Sequence, residues 1–357
     1  MKKLLAVLLA ATMVLSVMLS GCGTQNTPAT GNTPEPEKKI TIGLALATQK
    51  EERWSKEAKY FQEAAEKLGA TVVIQDANND EKTQNDQIEN LINQKVDAIV
   101  LVPANSKTAG TSVKKIKDAG IPVMAYSRLI KDVQYDCFIG FDVVDIGRSI
   151  AKAAVIKVPK GNYMIMNGGQ TDINSKLYWD GYQEVLKPYI DKGDIKIVSD
   201  QWADDWSNEK ALSLAENALT QNNNACDAYI CSNDGMAGAV IQALKAQGLD
   251  GKTMVAGSDG ETAALQRIVE GTQTTTLLFP SKSMAEKAAE AAIEMAKTKK
   301  SPASASASSE AGSVKIPTIF VSTIPVDKNN INEVIIKAGI AKVEDVYKNV
   351  DKALWPK

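Results

Sequence analysis

Asp97–Ser127, DAIVLVPANSKTAGTSVKKIKDAGIPVMAYS, is the stretch on which the fold turns. Its two ends, DAIVLVPA and IPVMAYS, are short apolar runs that read as strands, and residues 107–119 between them read as an amphipathic helix. Strand, helix and strand within about 30 residues form the unit that builds a parallel sheet with helices on its faces.

The alternation continues outward in both directions. Upstream, Ile40–Ala45 is a strand, and residues 51–68 place Trp54, Ala58, Phe61, Ala65 and Leu68 at three- and four-residue spacing, a helix stopped by Gly69. TVVIQDA and a helix over 81–93 come next, and FIGFD closes the first series downstream. A second series opens at Asn162. It reads NYMIMNGG, helix 177–189, IKIVSD, helix 206–219, DAYICSND, helix 236–247, TMVAGSD, helix 263–269 and TTTLLF. Two such series predict an α/β protein of two doubly wound parallel-sheet lobes. Beyond Phe279-Pro280 come an Ala-rich helix (283–297), a low-complexity loop (301–313, SPASASASSEAGS), a strand (318–321), a break at Pro325 and a helix (330–338). Such a tail predicts that the chain crosses between lobes more than once, giving a multi-strand hinge suited to closing on a ligand. The expected N-terminal lobe is 38–141 with 281–322, and the C-terminal lobe 142–280 with 323–357.

None of the 357 residues is histidine, which excludes Ser-His-Asp triads, Cys-His pairs and His-ligated metals. Residues 1–21 carry Lys2 and Lys3, then an uncharged run from Leu4 to Leu19, and close on Leu19-Ser20-Gly21-Cys22. This resembles the lipobox of bacterial lipoproteins, in which the cysteine is acylated. Cys22 is therefore the expected lipid anchor and 22–37 a flexible Gly/Pro/Thr/Asn tether, with an ordinary signal peptide as the alternative. The expected location is extracytoplasmic, on the outer face of the cytoplasmic membrane or in the periplasm. Without residues 1–21 the chain has 39 basic against 43 acidic residues, a net charge of −4, which speaks against nucleic acid as a partner. Of the remaining cysteines, Cys226 and Cys231 flank a strand that separates them by about 16 Å, beyond the ~7 Å limit of a disulfide. Together with Cys137 they are expected to be buried free thiols.

Ligands of open parallel sheets sit beyond the carboxyl ends of the strands. The residues that arrive there are Arg53 and Trp54; Asn105; Ser127 and Arg128; Asp172, Asn174 and Lys176; Asp204 and Trp206; Asn233 and Asp234; and Asp259. Asp accepts hydrogen bonds, Asn gives and accepts, and Arg presents five donors in a fixed fork, which together suit hydroxyls. A Trp face suits the C–H face of a pyranose. The inventory fits a neutral, polyhydroxylated, disc-shaped ligand. Each residue also has a plainer reading: Asp172, Asp234 and Asp259 as helix caps, Trp54 as core, Lys176 and Asn105 as solvated loop, and Arg53 as part of a charged turn with Glu51 and Glu52. No Walker A, GxGxxG or complete calcium loop is present, and Ser112-Val-Lys-Lys115 matches SxxK with no partner motif.

At these residues the chain resembles the periplasmic sugar-binding proteins of ABC importers, over about residues 39–347. The resemblance is carried by Glu52-Arg53-Trp54, QNDQIENLIN (84–93), AYSRLI (125–130), GNY (161–163), DINSKL (172–177), LKPY (186–189), DQW (200–202), ENALT (216–220), SND (232–234), IQALKAQG (241–248) and VDKNN (326–330). It implies a monomeric two-lobed clamp, not an enzyme and without cofactor or metal. Such a clamp captures a monosaccharide, D-xylose being the expected sugar, and presents it to ABC permease subunits. A sugar-sensing input to a membrane histidine kinase or chemoreceptor is the alternative partner, and a DNA-binding repressor would require an N-terminal helix-turn-helix where the signal and tether stand. The implied contacts are Arg53, Trp54, Arg128, Asp172, Asn174, Trp206, Asn233 and Asp259. Departures fall at Ser127, where the family pattern has Asp, at Phe279, where it has Lys, and at Ser258, where it has Gln.

Overall fold

The apolar runs become strands and the three- and four-spaced runs become helices in the computed structural model, which describes residues 39–356. The first series is β1 (Thr41–Leu46), α1 (Glu52–Lys67), β2 (Thr71–Asp76), α2 (Glu81–Asn93), β3 (Ala98–Leu101), α3 (Gly110–Asp118), β4 (Val123–Tyr126) and β5 (Cys137–Gly140). Trp54, Ala58, Phe61 and Ala65 form the buried face of α1, as their spacing requires, and Gly69 follows the helix at φ +83°.

A helix absent from the sequence reading above, α4 (Val143–Lys157), comes next. Val143, Ile146, Ile150 and Val155, with Gly147, Ala151 and Ala154 between them, give its buried stripe the three- and four-residue spacing of an amphipathic helix, and the small residues let the helix pack closely. A Cβ on Gly147 would stand 2.4 Å from the Tyr178 carbonyl oxygen of the neighbouring helix. The second series then runs β6 (Gly161–Asn167), α5 (Ile173–Asp191), β7 (Ile195–Trp202), α6 (Asn208–Gln221), β8 (Ala228–Cys231), α7 (Asp234–Ala246), β9 (Met254–Ala256), α8 (Thr262–Glu270), β10 (Thr275–Leu278) and α9 (Ser281–Thr298). A short 3₁₀ turn, Asp204–Trp206, precedes α6.

The C-terminal segment corrects three expectations. The low-complexity stretch is not all loop: β11 (Ala307–Ala311) pairs antiparallel with β12 (Val314–Phe320). Alternation of small residues is enough at a sheet edge, with Ser309 and Ala311 turned inward and Gly312 at φ +70° making the hairpin turn. Pro325 does not end structure but lies inside β13 (Ile324–Asp327), an antiparallel edge strand paired with β10, where a residue lacking an N–H is tolerated. The helix expected over 330–338 is a π-helical turn over Asn332–Lys337.

Two sheets result, ordered β11-β12-β5-β4-β3-β1-β2 and β13-β10-β9-β8-β6-β7, parallel except at the β11 and β13 edges. The chain passes between them after β5, after β10 and after β12, so the hinge is made of three strand exits. Cys137, Cys226 and Cys231 are buried free thiols, and burial pushes Cys137 and Cys226 up to about 12. Among the described residues no helix is long and apolar enough to cross a membrane. The expected signal, Cys22 and the tether lie outside the described residues.

Candidate functional site

The carboxyl ends of the two sheets meet across a cavity of about 40 Å³. Glu51, Arg53, Trp54 and Arg128 line it from the first sheet's side, and Asp172, Asn174, Tyr178, Trp206, Ser232, Asn233 and Asp259 from the second's. The volume is small because the lobes are in contact. Asn174 Nδ2 donates to the Ser127 carbonyl at 3.1 Å, Ser106 N–H to the Thr171 carbonyl at 3.2 Å, and Thr262 donates through its hydroxyl and N–H to Glu52 at 2.9 and 3.3 Å.

Arg53 is buried in a cage of aromatic faces and acids. Its guanidinium carbon lies 4.3 Å from the Trp54 ring centre, 4.6 Å from Phe279 and 5.6 Å from Phe141. Nε donates to Glu57 at 3.1 Å, Nη2 donates to Ser127 Oγ at 3.2 Å, and Nη1 is 3.6 Å from Asp259. Burial works against its charge, but Glu57 and Asp259 outweigh that and hold its pKa above the usual arginine range. For Asp259 the balance is reversed: burial pushes its carboxyl well up although Arg53 opposes the shift. Arg128 pairs across the cleft with Asp172 at 2.7 Å and donates to the Pro103 carbonyl at 3.1 Å. Asp172 in turn accepts the Asn174 N–H at 2.9 Å and so caps α5. Capping and cleft roles therefore coincide in this residue, and likewise in Asn233, which caps α7 through Met236 N–H.

Backbone strain collects at the same edge. Ser127, Trp206 and Asp259 have φ of 65°, 57° and 113°, a region that costs residues with side chains of order 1–3 kcal/mol each. Trp206 takes its place because residue 168 is glycine; a Cβ there would lie 2.5 Å from the indole ring. Tyr178 meets that ring edge-on at 6.4 Å, and its hydroxyl shares a 3.1 Å hydrogen bond with Ser258 Oγ.

Arg53, Trp54, Arg128, Asp172, Asn174, Trp206, Asn233 and Asp259 all line the cavity. Ser127 stands one layer behind, holding Arg53 with its hydroxyl and Asn174 with its carbonyl. Phe279 is not at the cavity. It stacks on Phe141 at 4.4 Å and faces Arg53, and its other side borders a second space of about 550 Å³ at the hinge. Asp234 lies beneath the cleft, accepting from Thr276 at 2.7 Å, Gln273 at 2.8 Å and Glu261 N–H at 3.0 Å; burial raises its carboxyl to about 6. Lys176 is exposed and faces away, its ammonium paired with Asp180 and 4.6 Å above Trp179. It is two residues beyond Asn174, about 200° around α5, so the two side chains cannot share a face. Asn105 also lies off the cavity, bonding Glu81 and the Lys107 N–H.

Three lining residues escaped the sequence reading. Tyr178 is one helical turn beyond Asn174, a spacing that would have found it, and Ser232 directly precedes Asn233. Glu51 read as one more charge of an exposed turn.

Comparison with known proteins agrees with this architecture. Residues 42–300 match the periplasmic binding protein domain model. The D-xylose-binding periplasmic protein of Escherichia coli K12 is 44% identical over 309 residues, 87% of this chain and 93% of that protein. The crystal structure of an ABC transporter solute-binding protein from Clostridium phytofermentans with bound β-D-glucose superposes with TM-score 0.77 at 25% identity, over 86% of this chain and 99% of that one. One from Actinobacillus succinogenes with bound D-allose gives 0.73 at 26% identity, over 83% and 100%. In its sheets, its hinge and its sequence, the chain belongs to the periplasmic binding protein family.

Proposed function

We propose that this protein captures a monosaccharide between its two lobes, segments 38–141 with 281–322 and 142–280 with 323–357, and delivers it to an ABC importer. The observation that carries the reading is the interlobe cavity where Arg53, Arg128, Asp172, Asn174, Asn233 and Asp259 converge with Trp54 and Trp206. Carboxylates, amides and guanidinium forks answer hydroxyls that donate and accept, and the indoles offer flat apolar walls. None of these side chains titrates near pH 7 at its ordinary pKa, so the hydrogen-bond pattern is constant around neutrality apart from the carboxyls that burial raises.

The 44% identity to a D-xylose-binding protein makes D-xylose the first sugar to test. Capture with release suits micromolar affinity, about −8 kcal/mol, which a set of hydrogen bonds exchanged with water can supply. Calorimetry of the purified protein against pentoses and hexoses is expected to show binding of at least one, D-xylose foremost; silence across the panel sinks the reading. The lipobox-like LSGC supports anchoring through Cys22 on the extracytoplasmic side of the membrane. Cys22→Ala is then expected to shift the protein from the membrane fraction to the soluble one, and unchanged fractionation would dismiss the anchor.

A further inference from the structure

Glu51 stands at the N-cap of α1, where a side chain ordinarily accepts a first-turn N–H, yet it makes no capping bond. It lines the cavity instead, and its Oε2 is buried without a hydrogen-bond partner. Arg53 donates to Glu57 and Ser127, and Arg128 donates to the Pro103 carbonyl and holds Asp172 as an ion pair, its Nε making no aligned hydrogen bond. Across the cavity, Trp206 Nε1 is a buried donor that also lacks a partner. An unpartnered acceptor and an unpartnered donor thus belong to residues that line the same cavity from opposite lobes.

The wall contributed by the first lobe is otherwise all donor and ring: Arg53, Arg128 and Trp54. Ser127 Oγ already accepts from Arg53, and Glu57 lies behind Arg53, holding it and Ser281. A hydroxyl touching this wall has a hydrogen to give, and Glu51 is its one carboxylate acceptor at the cavity.

Resting on the sugar reading above, we propose that Glu51 is a specificity-determining residue whose carboxylate accepts the hydrogen of one ligand hydroxyl, so that sugars lacking that hydroxyl are rejected. Burial raises its pKa, with its own backbone N–H, Arg128, Arg53 and Lys50 opposing the shift.

The test is calorimetry of the purified full chain and of Glu51→Leu and Glu51→Gln with D-xylose, D-ribose, D-glucose and D-allose, then with the monodeoxy analogues of the tightest binder. Glu51→Leu is expected to weaken that sugar about 10- to 100-fold, Glu51→Gln less. One deoxy analogue should lose a similar factor against the unaltered chain and almost nothing further against Glu51→Leu. The ligand-free Tm of Glu51→Leu should not fall, because the change removes an unpartnered buried oxygen. Unchanged affinity in Glu51→Leu, or an equal loss for every analogue without coupling, overturns the proposal while leaving the sugar reading intact. If the unaltered chain binds no sugar, both fall. Should the Leu variant misfold, the same coupling is read from Glu51→Gln.

Discussion

Arg53 shows how two altered residues can agree with each other. Ser127 and Phe279 stand where the resemblance expects an acid and a base, and both touch the same guanidinium: one accepts from it at 3.2 Å and the other turns a ring to it at 4.6 Å. Removing one charge of each sign leaves the net charge unchanged and replaces a charge pair by a hydrogen bond and a cation–π contact, worth about 0.5–2 kcal/mol when desolvated. Phe279→Lys alone should be severe. It deletes the stack on Phe141 and places a buried ammonium against Arg53, a loss of more than about 3 kcal/mol in urea unfolding. With Ser127→Asp added, an acid returns beside both cations, and at least ~1 kcal/mol should be recovered. Additive losses in the four-member cycle would show that the two positions are not coupled through Arg53. Residue chemistry of this kind is only half legible in sequence. Strand-end position found Arg53, but it equally nominated Lys176 and Asp234, which helix rotation and depth place elsewhere.

Element boundaries repeat that division. Runs such as AIVL and TVVIQD declare their strands because they are apolar or β-branched, whereas β11 is built on Ala, Ser and Glu, whose place comes from pairing at a sheet edge and not from hydrophobicity. The β6 exit is the instructive case. Asn-Gly-Gly after a strand reads as an ordinary loop, but Gly168 is the surface on which the Trp206 ring rests, and Trp206 itself holds φ 57° to be there. Nothing in one sequence couples position 168 to position 206; the fold does. Gly168→Ala should therefore act on the indole. With Cβ at 2.5 Å from the ring, Trp206 must leave the cavity wall, and sugar affinity should fall about tenfold or more while far-UV circular dichroism is retained. Affinity within twofold of the unaltered protein would mean that the indole does not need its seat.

At the scale of the whole molecule the question is what holds the lobes together, since the cavity exists only while they touch. Arg128–Asp172 and Asn174–Ser127 cross the gap at the cavity itself, so altering them changes binding and closure at once. Glu52 separates the two. It lies outside the cavity lining, and its carboxylate accepts two hydrogen bonds from Thr262 of the other lobe at 2.9 and 3.3 Å. Two such bonds contribute about 1–3 kcal/mol to closure after exchange with water. Glu52→Ala should then lower the closed fraction and weaken the apparent affinity roughly 5- to 100-fold by that fraction alone. Because no ligand contact is touched, the factor should be the same for every sugar that binds, in contrast to the selective loss expected of Glu51→Leu next to it. Small-angle scattering of the sugar-free protein should show a larger radius of gyration for Glu52→Ala, converging with the unaltered protein at saturating sugar. A loss that differs between sugars, or scattering curves that coincide without ligand, would place Glu52 among the recognition groups and leave closure to the cavity's own bonds.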